Sequence, residues 1–425
     1  VKIFSQKSFL KRSTAVKAGL LISMYMCQTL SLGYVFGSLP VIMRQQDMPL
    51  KSIGALFILH LPWAFKFLYA SWVDRFYIPT IGRRRSWIFP LQWLGAVTLL
   101  LLSQTPPGTH FTAMYLLIFL LHIVMATNDI AVDGYATDIL QPYERPWGNT
   151  IQAGARFAGL MLGGGLMLFL HASLGWRALC IILSGTVFLL SLPVVFHREI
   201  PPIEGFYSAY DAQSFGILPF LRRREIRWLL PVLILPTTFA FTGFQMRMPL
   251  FTDLGLSTRD LGSVLMNWAY PAGLAGTILS GWLLHRIGGQ TFLRFFCIAA
   301  LLLTTCTIMC ATEGGIGLCQ ASIVLSMDNV LMGGIQVWAY TQMMRVSAGK
   351  QAGTGFAVLS SLFIIFPLAS APVFGAAGDR FGFTALYIIL GIFMLGGFGV
   401  VELILYYDPT ICRENTKTAK NIKPA

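Results

Sequence analysis

The chain has 425 residues, of which 55% are hydrophobic and only 12% are charged, with a mean hydropathy of +0.67. A water-soluble domain carries about 25% charged residues, so this composition excludes an ordinary soluble enzyme and indicates an integral membrane protein. The formal net charge of +13 would suit a polyanion, but its distribution along the chain assigns it to membrane topology and anionic inner-leaflet lipid, with no need of nucleic acid.

Apolar runs long enough to cross ~30 Å of hydrocarbon, about 20 helical residues each, are read at 14–43, 50–72, 87–104, 111–138, 148–171, 176–196, 227–250, 260–284, 291–311, 316–344, 351–377 and 384–406. The expected fold is therefore an all-α integral membrane protein with 12 transmembrane helices. With both termini in the cytoplasm, and with residues near span ends counted with the adjoining loop, 23 of the 31 Lys and Arg fall in cytoplasmic segments, 5 in external ones and 3 (Lys66, Arg156 and Arg247) deep inside spans. Positive charge retained on the cytoplasmic side is what fixes orientation.

The first span is expected to stay as an uncleaved anchor, since it lacks a small-residue cleavage site after a short apolar core. It offers Gln28, Ser31 and Tyr34 as polar groups for a cavity wall. The second carries Lys66 and is followed by Asp74-Arg75, a spacer, and Gly82-Arg83-Arg84-Arg85.

The fourth span should be too costly to tolerate without a purpose. It ends Asn128-Asp129-Ile130-Ala131-Val132-Asp133-Gly134-Tyr135-Ala136-Thr137-Asp138, and each carboxylate in hydrocarbon costs about 2.5–3.5 kcal/mol on insertion scales. At 100° per residue Asp129 and Asp133 lie ~700° and ~1100° beyond His122, which puts the three within ~40° on one stripe. Asp138 falls near the opposite side and is expected to brace Arg75 or the Gly82-Arg83 loop. Counted from helix ends, Lys66 lies ~12 Å deep and Asp129 and Arg156 ~13.5 Å deep. One layer therefore holds a candidate ion network of Lys66, Asp129 or Asp133, and Arg156. Such a network serves as a proton-coupled switch, because a carboxylate released from its cation takes a proton readily, or as a structural tie. Tyr135 adds aromatic surface to the same span.

Span 5 carries Ala155, Gly159 and Gly163 at four-residue spacing, as span 8 carries Gly273, Thr277 and Gly281, a pattern that lets membrane helices approach closely. The longest hydrophilic stretch, 198–226, reads as a cytoplasmic linker between an N-terminal six-helix bundle over 1–197 and a C-terminal one over 227–412, with a cytoplasmic tail at 413–425. The halves echo each other: Asp74-Arg75 with His285-Arg286, and Asn128-Asp129 with Asp328-Asn329, offsets of 211 and 200 residues. A parallel duplication of one unit, two pseudo-symmetric six-helix bundles, accounts for this. In the second half, Gln245 and Tyr340 are cavity candidates, Asp328 is a deep carboxylate with no cation in its own span, and Arg247 is placed to snorkel to the outer interface.

Seven cysteines, mostly within spans, read as small packing residues rather than as a metal set. No phosphate-binding loop and no His/Cys cluster of metal-ligand spacing is present, so no cofactor, no metal and no catalytic residue is assigned. His60 and His122 are the one pair of span imidazoles placed to approach each other.

The Asp74-Arg75 … Gly82-Arg83-Arg84-Arg85 loop resembles the signature between the second and third helices of the major facilitator superfamily, with a spacer two or three residues longer than usual. By that resemblance Asp74, Arg75, Gly82 and Arg83 form a gating loop, with Asp138, that holds neighbouring helix ends together in one conformation. From about Ile53 to Arg156 the chain is similar to the muropeptide permeases and their relatives. Among those relatives it looks most like single-component siderophore permeases of the rhizobactin and pyochelin type, in particular those encoded with yersiniabactin biosynthesis.

The resemblance implies a monomeric, proton-coupled importer of the bacterial inner membrane, not an enzyme. Its cargo would be a siderophore or its iron or zinc chelate, and Asp129, Asp133 and Asp328 would be the coupling carboxylates. A muropeptide permease and a membrane sensor without flux are the other readings.

Overall fold

The computed structural model describes residues 14–46, 56, 59–108, 110–197, 199, 217–256, 258–349 and 351–412. Most of the expected linker, the tail and the start of the second span lie outside the described residues. The described elements are helical throughout. In chain order they are α1 (Thr14–Gly33), α2 (Leu39–Gln45), α3 (Leu61–Phe65), α4 (Ala70–Arg75), α5 (Arg85–Leu102), α6 (Phe111–Ile139), α7 (Arg145–Gly159), α8 (Met167–Phe196), α9 (Ile217–Leu221), α10 (Arg224–Asp253), α11 (Thr258–Val264), α12 (Tyr270–Ile287), α13 (Gly289–Glu313), α14 (Leu318–Ser347) and α15 (Ala352–Tyr407).

Among the described residues, ten helical segments are long and apolar enough to cross a membrane. The two expected spans outside that set are 50–72, which is broken into α3, a tight turn at Lys66–Leu68 and α4, and 260–284, which is built from α11, a π turn at Leu265–Ala269 and α12. Leu116, Phe169, Leu189, Leu302 and Ile392 are large apolar side chains left exposed, as a surface facing lipid requires.

Contacts divide the chain into two units, residues 1–140, 155–217 and 347–361 in one, and residues 141–154, 218–346 and 362–425 in the other. Each has its own apolar core. The first gathers Tyr34, Leu39, Leu99, Leu121, Trp176 and Leu179, and the second Phe251, Val264, Leu325, Phe374, Tyr387 and Leu390.

Positive-φ glycines recur in step with the expected duplication. Gly82 and Gly288 follow the second and eighth spans, and Gly175 and Gly382 divide spans 5 from 6 and 11 from 12. The two pairs are 206 and 207 residues apart, so the repeat is visible in the backbone as well as in the motifs.

The small-residue spacing of span 5 has a partner in the first unit. Built on Gly37, a Cβ would sit 2.6 Å from the Gly164 Cα, and one built on Gly159 would fall 2.6 Å from the Thr29 carbonyl carbon. Here backbone meets backbone, and no side-chain rotation relieves it. Gly159→Ala is expected to destabilise the protein by about 1–3 kcal/mol through overpacking. Gly185→Ala, where a Cβ meets nothing within 4 Å, should be neutral or slightly stabilising because Ala is the better helix former. Thermal melting of the two variants in detergent, side by side, checks this; equal midpoints would count against the close crossing.

Candidate functional site

The charged layer assembles in the first unit. Asp129 and Asp133 are one turn apart on the unbroken α6, so both face the same neighbour. That neighbour is Lys66, held in the tight turn between α3 and α4. The Lys66 ammonium donates directly to Asp129 Oδ2 and lies 3.9 Å from Asp133 Oδ2. Two carboxylates thus share one ammonium, and all three side chains are buried.

Polar groups of α1 complete the set. Gln28 Nε2 donates to Asp129 Oδ1 at 2.7 Å, Tyr25 Oη donates to Asp133 Oδ1 at 3.0 Å, and Asn128 Nδ2 donates back to Gln28 Oε1 at 3.2 Å. Arg156, expected in the same layer, is exposed and forms no ion pair among the described residues. It stands close enough to His60 for its charge to act there, but it does not join the carboxylates.

One turn before Lys66, an aromatic cluster begins. The Trp63 ring lies 5.6 Å from Lys66 Nζ and stacks on His60 at 5.6 Å. His60 meets His122 edge-on with ring centroids 5.5 Å apart, and Phe36 touches both imidazoles. Among the described residues, both ring nitrogens of His122 and Nδ1 of His60 have no hydrogen-bond partner. His122 therefore sits on the stripe of Asp129 and Asp133 but in separate surroundings.

The loop expected to act as a gate centres on Arg84, which the sequence did not single out from its two basic neighbours. Its guanidinium is fully buried, donates through Nη1 to Asp74 Oδ1, and donates through Nε to Asp138 Oδ2 at 2.9 Å. Asp138, expected to brace Arg75 or the Gly82-Arg83 loop, has its bond to Arg84. Arg83 reaches Asp74 Oδ1 at 3.4 Å, while Arg75 is exposed and lies over the Phe76 ring.

Asp74 Oδ2 accepts from both the backbone N–H and the hydroxyl of Thr354, each at 2.6 Å. Thr354 lies in the first turn of α15, where unpaired N–H groups and the helix dipole favour an anion. Burial pushes the Asp74 carboxyl up, but Arg84, Arg83 and Thr354 together outweigh it and hold it below the usual carboxylate range. For Arg84, burial opposes the charge, and Asp138 and Asp74 more than restore it, so its affinity for the proton rises.

Glu199 accepts from the backbone N–H groups of Arg84 and Arg85, both at 2.9 Å, and so caps the start of α5. Burial raises its carboxyl despite those bonds. Gly82 takes φ +118, and a Cβ there would meet the Glu199 side chain. Neither Glu199 nor Thr354 had a local signal in the sequence. Glu199 stands at the edge of the hydrophilic stretch, and Thr354 becomes a partner only through the fold.

In the second unit Arg247 does not snorkel. It is buried, donates through Nη1 to Asp328 Oδ1 at 2.7 Å and through Nε to Thr307 Oγ1 at 3.1 Å. Asp328 thus has a cation after all, supplied by α10 rather than by its own helix.

The remaining cavity candidates divide between the two units. Tyr34 packs in the first core against Trp176, and Tyr135 bonds His197 at 2.6 Å. Gln245 is half-buried, and Tyr340 packs against Phe363.

Comparison with known proteins agrees with this architecture. The family model of the Major Facilitator Superfamily matches residues 21–362. The anhydromuropeptide permease of Escherichia coli (strain K12) is 23% identical over 390 residues, which cover 88% of this chain and 76% of the permease. An uncharacterized protein of Haemophilus influenzae is 26% identical over 406 residues, covering 90% of this chain and 92% of its own. Two solved structures share the fold. The human organic anion transporter MFSD10 superimposes with a TM-score of 0.67 at 16% identity, over 92% of this chain and 100% of that one. The transporter FucP superimposes with a TM-score of 0.65 at 15% identity, over 92% and 99%. A helical fold of this kind, with a family match across most of its length, makes the chain a member of the Major Facilitator Superfamily, a multi-pass membrane transporter.

Proposed function

We propose that this chain is a proton-coupled secondary importer of the bacterial inner membrane, with both termini cytoplasmic, and that its cargo belongs to the muropeptide class. The observation that carries the coupling is the Lys66–Asp129–Asp133 cluster, where two buried carboxylates share one ammonium. One proton added to such a cluster offsets the surplus negative charge and loosens the hold on Lys66. The neutralised cluster can then cross the low-dielectric stage of a transport cycle at less cost. Alternating access would run between the bundles over 1–197 and 227–412, joined by the linker at 198–226. The Asp74–Thr354 bonds would be a latch that breaks when the start of α15 moves away.

The muropeptide cargo is supported by the named Escherichia coli relative. A second cargo, a siderophore or its iron or zinc chelate of the yersiniabactin-like kind, is favoured by one feature of the first unit. The cluster of Phe36, His60, Trp63 and His122 is aromatic and carries imidazole nitrogens without hydrogen-bond partners among the described residues, a lining suited to a flat, partly apolar metal chelate once opened.

Uptake of a radiolabelled anhydromuropeptide, and of iron and zinc with and without purified siderophore, in a deletion strain carrying wild-type chain or Asp129→Asn, tests both. Muropeptide accumulation that collapses with the proton gradient and falls at least ~10-fold in Asp129→Asn is the expected result. Siderophore-dependent metal accumulation with the same two sensitivities would move the cargo to the chelate. Absence of both fluxes would leave the sensor reading.

A further inference from the structure

We propose that Arg247 is the anchor for a carboxylate of the cargo, and that Asp328 holds its place while the site is empty. This rests on the transporter reading and specifies what the second unit contributes to it. The site is built from four helices. Arg247 on α10 is fixed by Thr307 on α13, by Asp328 on α14, and by Tyr387 on α15. The Tyr387 ring lies 5.8 Å from the guanidinium carbon, and its hydroxyl donates to the Gly243 carbonyl at 3.0 Å, one turn before Arg247. The cation is therefore held in one orientation before any ligand arrives.

Its partner is not fitted to it to the same degree. A guanidinium can bind a carboxylate through two parallel bonds, the strong and geometrically specific arrangement. Here Asp328 uses Oδ1 for Nη1, while Oδ2 is buried without a hydrogen-bond partner among the described residues. Such an oxygen carries the desolvation cost of an unpaired buried acceptor, so the pair is poised for replacement by a carboxylate that uses both oxygens.

The space beside the pair sets the manner of replacement. A cavity lined by Ala240, Thr304, Leu331, Met332 and Met394, together with the two charged residues, has about 10 Å³ of room for a water centre, enough for one water. A cargo carboxylate cannot join Asp328 on Arg247 there. It has to displace it, and the displacement ties cargo binding to movement of α14 against α10. The Lys66 cluster differs in having two carboxylates on one cation, with hydrogen bonds from Gln28 and Tyr25.

The test compares an anhydromuropeptide bearing free carboxylates with the same molecule amidated, measured by calorimetry on the purified transporter in nanodiscs. Wild type should bind the acid at least ~10-fold more tightly, the worth of one charge-assisted pair. Arg247→Gln should erase that preference, and Asp328→Asn should tighten the acid several-fold. These opposite signs are what a purely structural ion pair cannot give. Equal binding of acid and amide, or weakening by both substitutions, would overturn the proposal.

If wild type binds neither probe, the muropeptide reading falls, and acetate judges the site by itself. In Asp328→Ala, or Asp328→Ser if the former does not fold, acetate should raise the melting midpoint over equal chloride, and no acetate effect would overturn the anchor.

Discussion

Lys66→Met is expected to abolish proton-driven uptake and to cost about 3–5 kcal/mol of stability, the price of leaving buried carboxylates without their cation. Asp129 loses its direct partner and Asp133 a cation 3.9 Å away, and the remaining donors, Gln28 and Tyr25, are neutral. A triple variant, Lys66→Met with Asp129→Asn and Asp133→Asn, removes all three charges while keeping the shapes close. It should recover most of the melting midpoint yet remain inactive in the uptake assay. Stability restored without flux separates the coupling role from the structural one. Flux restored together with stability would show that the cluster is only a tie between α1, α6 and the Lys66 turn.

The second large effect is expected at Arg84, and it ranks the basic residues of the loop. Arg84→Leu leaves Asp74 and Asp138 facing each other without the fully buried guanidinium that binds both, again a loss of about 3–5 kcal/mol. Arg83→Gln removes a longer contact of 3.4 Å to the carboxylate and a bond of 3.1 Å to the Asp74 carbonyl, and should cost about 1–2 kcal/mol, less than Arg84. Arg75→Gln should leave the midpoint unchanged. Thermal melting of the three variants checks the order, and a loss at Arg75 equal to that at Arg84 would contradict it.

The pH dependence of the same site has a definite sign. Asp74 is held below its ordinary value in the folded protein, so the folded state favours its charged form. Its contribution is fully present above the unfolded carboxylate value and is lost only as pH falls through the lowered folded one. The difference in midpoint between wild type and Asp74→Asn should therefore be flat between pH 6 and 8, a window about two units above the carboxylate value, and shrink only in acid.

The membrane class, the approximate spans, the doubling of the unit and the residue types of both polar sites were legible in the sequence. These are properties of composition, periodicity and spacing along one helix. The charge cost of carboxylates in hydrocarbon marks Asp129, Asp133 and Asp328 as residues that need partners, whatever the fold. Helical geometry likewise puts Asp129 and Asp133 on one stripe.

Partners, by contrast, are chosen across helices, and only the tertiary structure decides them. Among three adjacent arginines, Arg84 alone is buried between Asp74 and Asp138, because the turn at Gly82 and the Glu199 cap set its direction at the start of α5. Thr354 is 280 residues from Asp74 in sequence, and no local pattern connects them. Arg247 turns inward to Asp328, at 2.7 Å, instead of outward to the interface, since otherwise the buried carboxylate would be left without a compensating charge. Arg156, counted to the same depth as Asp129, is exposed and does not pair with it, because depth is set by counting along a helix, whereas partners are set by packing.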